Sequence, residues 1–238
     1  MSGTLYGIGL GPGDPELMTL KAHRLISAAR VVAYPAPDTG ESFARSIAAS
    51  AIRPDAEEIA IVIPMRTERF PAQEVYDAAA ARIAAHLGEG RDVAVLCEGD
   101  PFFYGSFMYL FGRLAGRYPV EIVPGVSSIT ACAAAARRPL CARNEALHVL
   151  PGPMDDETLA ARLAPVAAGE AAAAVMKVGR HLPRLRALVA GLGLLDRAVY
   201  VSHASLGRER ALPLAEAPET APYFSMILIA GSDPHASA

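Results

Sequence analysis

At 238 residues the chain is too long for one small core and short for three domains, so one large or two compact domains is expected, with two as the working count. Apolar residues make up 52% and charged residues 20% of it, which excludes a disordered chain because ample surface is available for burial. A formal net charge of -3 argues against a broad basic field for nucleic acid or an anionic membrane, so an anionic ligand has to be met by local arginines.

The run from Thr4 to Leu10 is apolar and leads into the glycine-rich GIGLGPGDPEL, after which Leu25, Ile26 and Ala29 continue the stripe begun by Ala22. This predicts strand, loop, helix. Val31 to Tyr34 predicts a strand stopped by Pro35 and Pro37, and Phe43, Ile47 and Ala51 mark a second amphipathic helix. A weaker strand, Ile59 to Ile63, ends at Pro64, and MRTERFPAQ leads into a helix with Tyr76, Ala79, Ala80, Ile83 and Leu87 on one face, ended by Gly88 and Gly90. DVAVLC, residues 92–97, reads as a strand buried on both faces of a parallel sheet. The loop EGDPFFYG follows it, then a helix over Phe107 to Leu114, a strand over Val120 to Val123, and PGVSSITACAAAA, where Ser127 or Ser128 caps a helix.

RRPLCARNEA breaks the periodicity, which places the boundary near Arg143 and gives domains 1–142 and 143–238. In the second, strands are expected at Leu147–Leu150, Ala172–Val178, Ala198–His203 and Phe224–Ala230, with helices from about Asp156 and along Leu182, Leu185 and Leu188. No clear helix separates the last two strands, which suggests an antiparallel finish. The expected fold class is therefore α/β, with a mainly parallel sheet in the first domain and a mixed sheet in the second.

Several chemistries are excluded by spacing. Three residues after Gly9 stands Pro12, and three after Gly11 stands Asp14, so Gly7, Gly9, Gly11 and Gly13 fail the dinucleotide GxGxxG pattern. No Gly-Lys-Ser/Thr closes a phosphate loop, Ser127 is in no GxSxG elbow, and the six histidines show no HExxH spacing. His23 and His86 read as surface or satisfied helical residues, while His203 at a strand end is the better site candidate. Cys97, Cys132 and Cys141 have no metal-ligand spacing and read as reduced core thiols. The first residues lack a basic segment followed by an apolar run, and no stretch reaches the roughly 18 apolar residues of a membrane span, so a cytoplasmic location is expected. A small-molecule site is expected in the loops after the parallel strands, EGDPFFYG and PGVSSIT among them.

GIGLGPGDPELMTLKA, CEGDPFFYGSFMYL and VEIVPGVSSITACAA, with the later PYFSMILIAG, together resemble the tetrapyrrole methyltransferases in order and spacing across nearly the whole chain. The resemblance implies two α/β domains with the ligand cleft between them, S-adenosylmethionine as methyl donor leaving as S-adenosylhomocysteine, no metal, and a homodimer. Carried over motif by motif, it implies cofactor contacts at Pro12, at Glu98, Gly99, Asp100 and Phe103, at Ser127 and Ser128, and on the adenine side at Val178, Ala204 and Met226. The glutamate of CEGDPFFYGSFMYL, where the general pattern has glycine, is similar to the members that methylate carbon 20 of precorrin-2 to give precorrin-3A in cobalamin synthesis. Asp14, Lys21, Arg66 and Arg69 are the candidate contacts for that macrocycle and its carboxylates. No catalytic side chain is singled out. Open beside this reading stand methylation of the cobalt-containing macrocycle, a sibling corrinoid methyltransferase, a non-enzymatic tetrapyrrole carrier, and a nicotinamide-dependent oxidoreductase, against which the failed glycine spacing counts.

Overall fold

The computed structural model of the chain describes residues 2–63 and 71–231. They form two units, divided between Ser127 and Ser128. In the N-terminal unit β1 (Leu5–Gly9), α1 (Leu20–Ala28), β2 (Val31–Pro37), α2 (Phe43–Ile47), β3 (Glu57–Ile63), α3 (Pro71–Gly88), β4 (Val93–Cys97), α4 (Phe107–Leu114) and β5 (Val120–Val123) alternate. The five strands are all parallel in the order β3-β2-β4-β1-β5. Every residue of β4 is buried because helices cover both faces: α1 and α2 pack Ile26 and Ile47 against Ile8, Val32 and Leu96, while α3 and α4 pack Ile83 and Leu110 against Leu5, Val31 and Val95. From the neighbouring strands β1 and β4 the chain leaves in opposite directions, toward β2 and toward β5. That is a topological switch point, where open α/β sheets hold their ligands.

The C-terminal unit holds α5 (Ser128–Ala135), β6 (Ala146–Pro151), α6 (Asp156–Ala167), β7 (Ala171–Met176), α7 (Leu182–Gly191), β8 (Ala198–Ser202), β9 (Arg210–Pro213) and β10 (Ser225–Ile229). Its sheet, ordered β6-β7-β10-β8-β9, is mixed: β6 runs parallel to β7, and β10 is antiparallel to both β7 and β8. Leu159 and Leu163 of α6 and Leu182 and Leu185 of α7 cover one face; Ile129 and Cys132 of α5 cover the other, against Val201, Met226 and Leu228. The units thus divide before α5 rather than near Arg143, because α5 buries its apolar side on β8 and β10. Its sequence placed it after a parallel strand; its packing assigns it to the second sheet.

Other differences have local causes. Pro35 and Pro37 do not stop β2, since β4 pairs with β2 only through Ala33 and the rest of the strand is hydrogen-bonded on the β3 side alone. β9 was not anticipated: four exposed or half-buried residues carry no apolar pattern, and pairing with β8 forms it. Cys97 and Cys132 are buried thiols, and burial pushes Cys97 up and Cys132 up to about 12, so neither is a nucleophile at neutral pH. Cys141 is exposed, contrary to the core reading, because it lies in the irregular connection between α5 and β6. His23 is exposed as expected, and His86 is buried with Nε2 3.2 Å from Glu57.

Candidate functional site

Three loops meet at the carboxyl ends of β4, β1 and β5. The Leu10 N–H donates to the Cys97 carbonyl at 2.9 Å, and Gly11 and Gly99 exchange backbone bonds of 3.2 and 2.8 Å, so the first glycine loop is stitched to the loop after β4. A β-carbon on Gly125 would stand 2.0 Å from the Gly99 carbonyl oxygen, and one on Gly9 would stand 2.6 Å from the Gly125 nitrogen. Only glycine permits this approach. The Asp100 carboxylate completes the junction, accepting from the Gly125 N–H at 3.0 Å and the Phe102 N–H at 2.9 Å. The four early glycines therefore serve different ends. Gly7 lies within β1 and leaves room for the Phe107 ring, whereas Gly9 and Gly11 shape the junction.

Of the residues expected to touch a cofactor, the N-terminal unit brings Pro12, Glu98, Gly99 and Asp100 together around this junction. Gly99 adopts a φ of 65°, in the left-handed region that suits glycine. Glu98 is half-buried; burial pushes its carboxyl above the ordinary range, opposed by hydrogen bonds from its own amide and that of Ala44. Phe103 is partly exposed and meets Tyr104 edge-on with centroids 5.2 Å apart. Ser127 ends the N-terminal unit, and Ser128 opens α5.

The candidates for macrocycle contacts are less gathered. Asp14 caps the short 3-10 turn Pro15–Leu17, accepting from the Glu16 N–H at 2.9 Å. Lys21, in the first turn of α1, is ion-paired with Glu121 on the edge strand β5. Arg66 and Arg69 lie outside the described residues.

In the C-terminal unit Val178, Ala204 and Met226 share one end of the sheet, the carboxyl ends of β7 and β8 and the start of β10. The strand expected through Val178 stops at Met176, because Lys177 turns into the left-handed region at φ 56° and Val178 opens a 3-10 turn. All three side chains are buried in the cores, which leaves main chain as what these positions present. His203 and Ser205, either side of Ala204, have φ of 52° and 66°. The His203 N–H donates to the Phe224 carbonyl at 2.8 Å, and its imidazole is pushed toward the neutral form by burial and then by Arg208. Non-glycine residues at such angles are uncommon and gather at ligand sites. Spacing gave no sign of them, nor of the contact between Gly9 and Gly125. Among the described residues no cluster of three or more His, Cys, Asp or Glu could hold a metal ion, and no helix is long and apolar enough to cross a membrane.

A parallel sheet with a main-chain junction at its switch point, followed by a mixed sheet with strained strand ends, defines a class of two-unit α/β enzymes. Residues 4–218 match the model of the Tetrapyrrole (Corrin/Porphyrin) Methylases, and the chain belongs to that family. It is 42% identical over 238 residues to a precorrin-2 C(20)-methyltransferase of Sinorhizobium sp, covering 96% of each chain. It is 31% identical to the cobalt-precorrin-2 C(20)-methyltransferase of Salmonella typhimurium, over 96% of this chain and 97% of that one. Among solved structures it resembles a uroporphyrin-III C-methyl transferase of Thermus thermophilus in complex with S-adenosylhomocysteine, at 26% identity and a TM-score of 0.66, covering 95% and 97% of the two chains.

Proposed function

We propose that this chain transfers a methyl group from S-adenosylmethionine to carbon 20 of precorrin-2, giving precorrin-3A. The observation that carries the reading is the 42% identity to the Sinorhizobium protein along 96% of both chains, a span that includes the Glu98–Gly105 loop. The Salmonella relative, at 31%, supports the cobalt-containing macrocycle as the second reading.

The residues present fit a methyl donor with nucleoside and amino-acid parts. At the switch point nothing stands within 4 Å of where a β-carbon on Gly99 would lie, and the main chain of Gly9, Gly11 and Gly125 is gathered beside it. When bound, the donor supplies a methyl group already activated by a sulfonium, so no protein nucleophile is required. The chain's own contribution is placement. Asp100 fixes the loops after β4 and β5 to each other, and the Gly11–Gly99 pair fixes the loop after β1. Holding reacting groups in line is worth roughly 7 to 11 kcal/mol in favourable cases. Val178, Ala204 and Met226 offer main chain to the adenine side, and Ser127 and Ser128 offer hydroxyls.

A homodimer belongs to the same reading, supported by the exposed apolar side chains of Phe102, Met108, Tyr109 and Phe111; light scattering at two protein concentrations tests it. So does a cytoplasmic location, supported by free thiols at Cys97, Cys132 and Cys141 and tested by cell fractionation. The activity is tested by mass spectrometry after incubation with S-adenosylmethionine and either precorrin-2 or its cobalt form. Gain of one methyl by precorrin-2 is expected; gain by the cobalt form alone selects the second reading. Thermal stabilisation by NADH with none by S-adenosylhomocysteine would overturn both.

A further inference from the structure

The loop between β8 and β9 runs from His203 to Glu209 and is closed at its base where Ser202 pairs with Arg210 across the hairpin. At its start His203 and Ser205 both stand in the left-handed region, with Ala204 between them. Three hydrogen bonds within the loop hold this shape. The Leu206 N–H donates to the His203 carbonyl at 3.0 Å, the Glu209 N–H to the Leu206 carbonyl at 2.8 Å, and the Ser205 N–H to a carboxylate oxygen of Glu209 at 2.7 Å. The last is the shortest, as suits a carboxylate acceptor. A fourth bond, from the His203 N–H to the Phe224 carbonyl at 2.8 Å, ties the loop to the approach to β10. These bonds occupy the amides on both sides of Ala204. Among the described residues the Ala204 N–H and carbonyl themselves meet no hydrogen-bond partner, although the residue is buried. Buried main chain of this kind is costly unless water or a ligand meets it.

We propose that Glu209 is a positioning residue: its carboxylate holds the Ser205 amide and so fixes the Ala204 main chain as the docking point for the adenine side of the methyl donor. Two features set it apart from a solvated surface carboxylate. Arg208 and Arg210 flank it in sequence, yet its carboxylate turns back four residues to main chain. The amide it accepts from belongs to a non-glycine residue at φ 66°, a conformation that persists only where surrounding bonds over-determine it. Without the Glu209 bond the loop is free to relax at Ser205, and the Ala204 amide and carbonyl turn with it. The role toward the donor rests on the methyltransferase reading above; the hold on the loop does not.

Hydrogen exchange and titration with S-adenosylhomocysteine, both on the full-length protein, test the two parts separately. Glu209→Gln keeps the reach and an acceptor oxygen, whereas Glu209→Ala loses both. Exchange at the Ser205 amide should rise about fivefold or more in Glu209→Ala and stay near wild type in Glu209→Gln. The Kd for S-adenosylhomocysteine should rise about tenfold in Glu209→Ala and be restored in Glu209→Gln, because a loop that must be ordered on binding costs affinity. The melting temperature should hardly move, since water takes the place of the carboxylate at this exposed bond. Unchanged exchange in Glu209→Ala overturns the proposal. So does faster exchange with an unchanged Kd, which would make the bond a feature of the hairpin alone. A Kd raised as much in Glu209→Gln, with Ser205 still protected, would overturn it in favour of a direct contact between the charge and the ligand. Should the wild type bind no S-adenosylhomocysteine, the methyltransferase reading falls, and exchange still decides whether Glu209 holds the loop.

Discussion

Gly9, Gly99 and Gly125 meet with no room for a β-carbon at two of the three positions, whereas Lys177, His203 and Ser205, at strand ends of the C-terminal unit, keep side chains at φ of 50–70°. The first set is locked by contact and by a carboxylate; the second holds angles that cost roughly 1–2 kcal/mol per non-glycine residue. Added atoms should therefore be ruinous in the N-terminal loops, and removed side chains nearly harmless in the C-terminal ones.

The largest effect is expected for Gly125→Ala. Its new carbon meets main chain, the Gly99 carbonyl, which has no flexible end to swing aside. The loops must part, with a loss of about 1–3 kcal/mol in thermal unfolding. A displacement near an ångström also lowers kcat/KM by about a hundredfold. Wild-type kinetics in this variant would break the contrast.

Asp100→Ala comes next. It leaves the amides of Phe102 and Gly125 without their acceptor, and about 1–3 kcal/mol of stability should go with it. Asp100→Asn, which keeps one acceptor oxygen, should fall between this variant and wild type in urea denaturation. Equal losses in the two would mean that the bridge to both amides contributes nothing.

His203→Gly probes the other side of the comparison. Relief of the left-handed strain is offset by the freedom glycine adds to the unfolded chain, so a net change within about 1 kcal/mol is expected in the same assay. A loss comparable to that of Asp100→Ala would show that the imidazole, which packs edge-on with Phe224 at 6.4 Å, matters more than the backbone angle.

The smallest effect is a pH dependence at Glu98. Burial raises its pKa in the folded state, so the folded protein holds this proton more tightly than the unfolded chain does. Its contribution is fully present below the ordinary glutamate value and is lost as pH rises from there through the raised one. Glu98→Gln lacks this loss, so its melting temperature should gain on wild type as pH rises across that window. A constant difference from pH 4 to 8 would contradict the burial argument.

Much of the fold was legible because its strongest signals are local. β4 is a short uninterrupted apolar run, and one face of α3 keeps helical spacing, so Tyr76, Ile83 and Leu87 fell where expected. The site was legible in outline, since ligand loops follow parallel strands and EGDPFFYG follows the most buried one. What escaped depends on partners remote in sequence. β9 exists through pairing with β8, β2 continues past its prolines because one side is unpaired, and α5 belongs to whichever sheet its apolar face meets. The hidden parts of the site are of the same kind. Gly9, Gly99 and Gly125 meet from three separate loops, and no spacing rule links residues so far apart.

The position of the transferred methyl is the most direct test of the proposed reaction. With S-adenosylmethionine labelled with carbon-13 in its methyl group and precorrin-2 as acceptor, carbon NMR of the product should show one new methyl, attached to carbon 20. A new methyl at carbon 2, 7 or 17 would contradict the proposed reaction while leaving the chain in its family, and an unlabelled macrocycle would contradict methyl transfer to this substrate altogether.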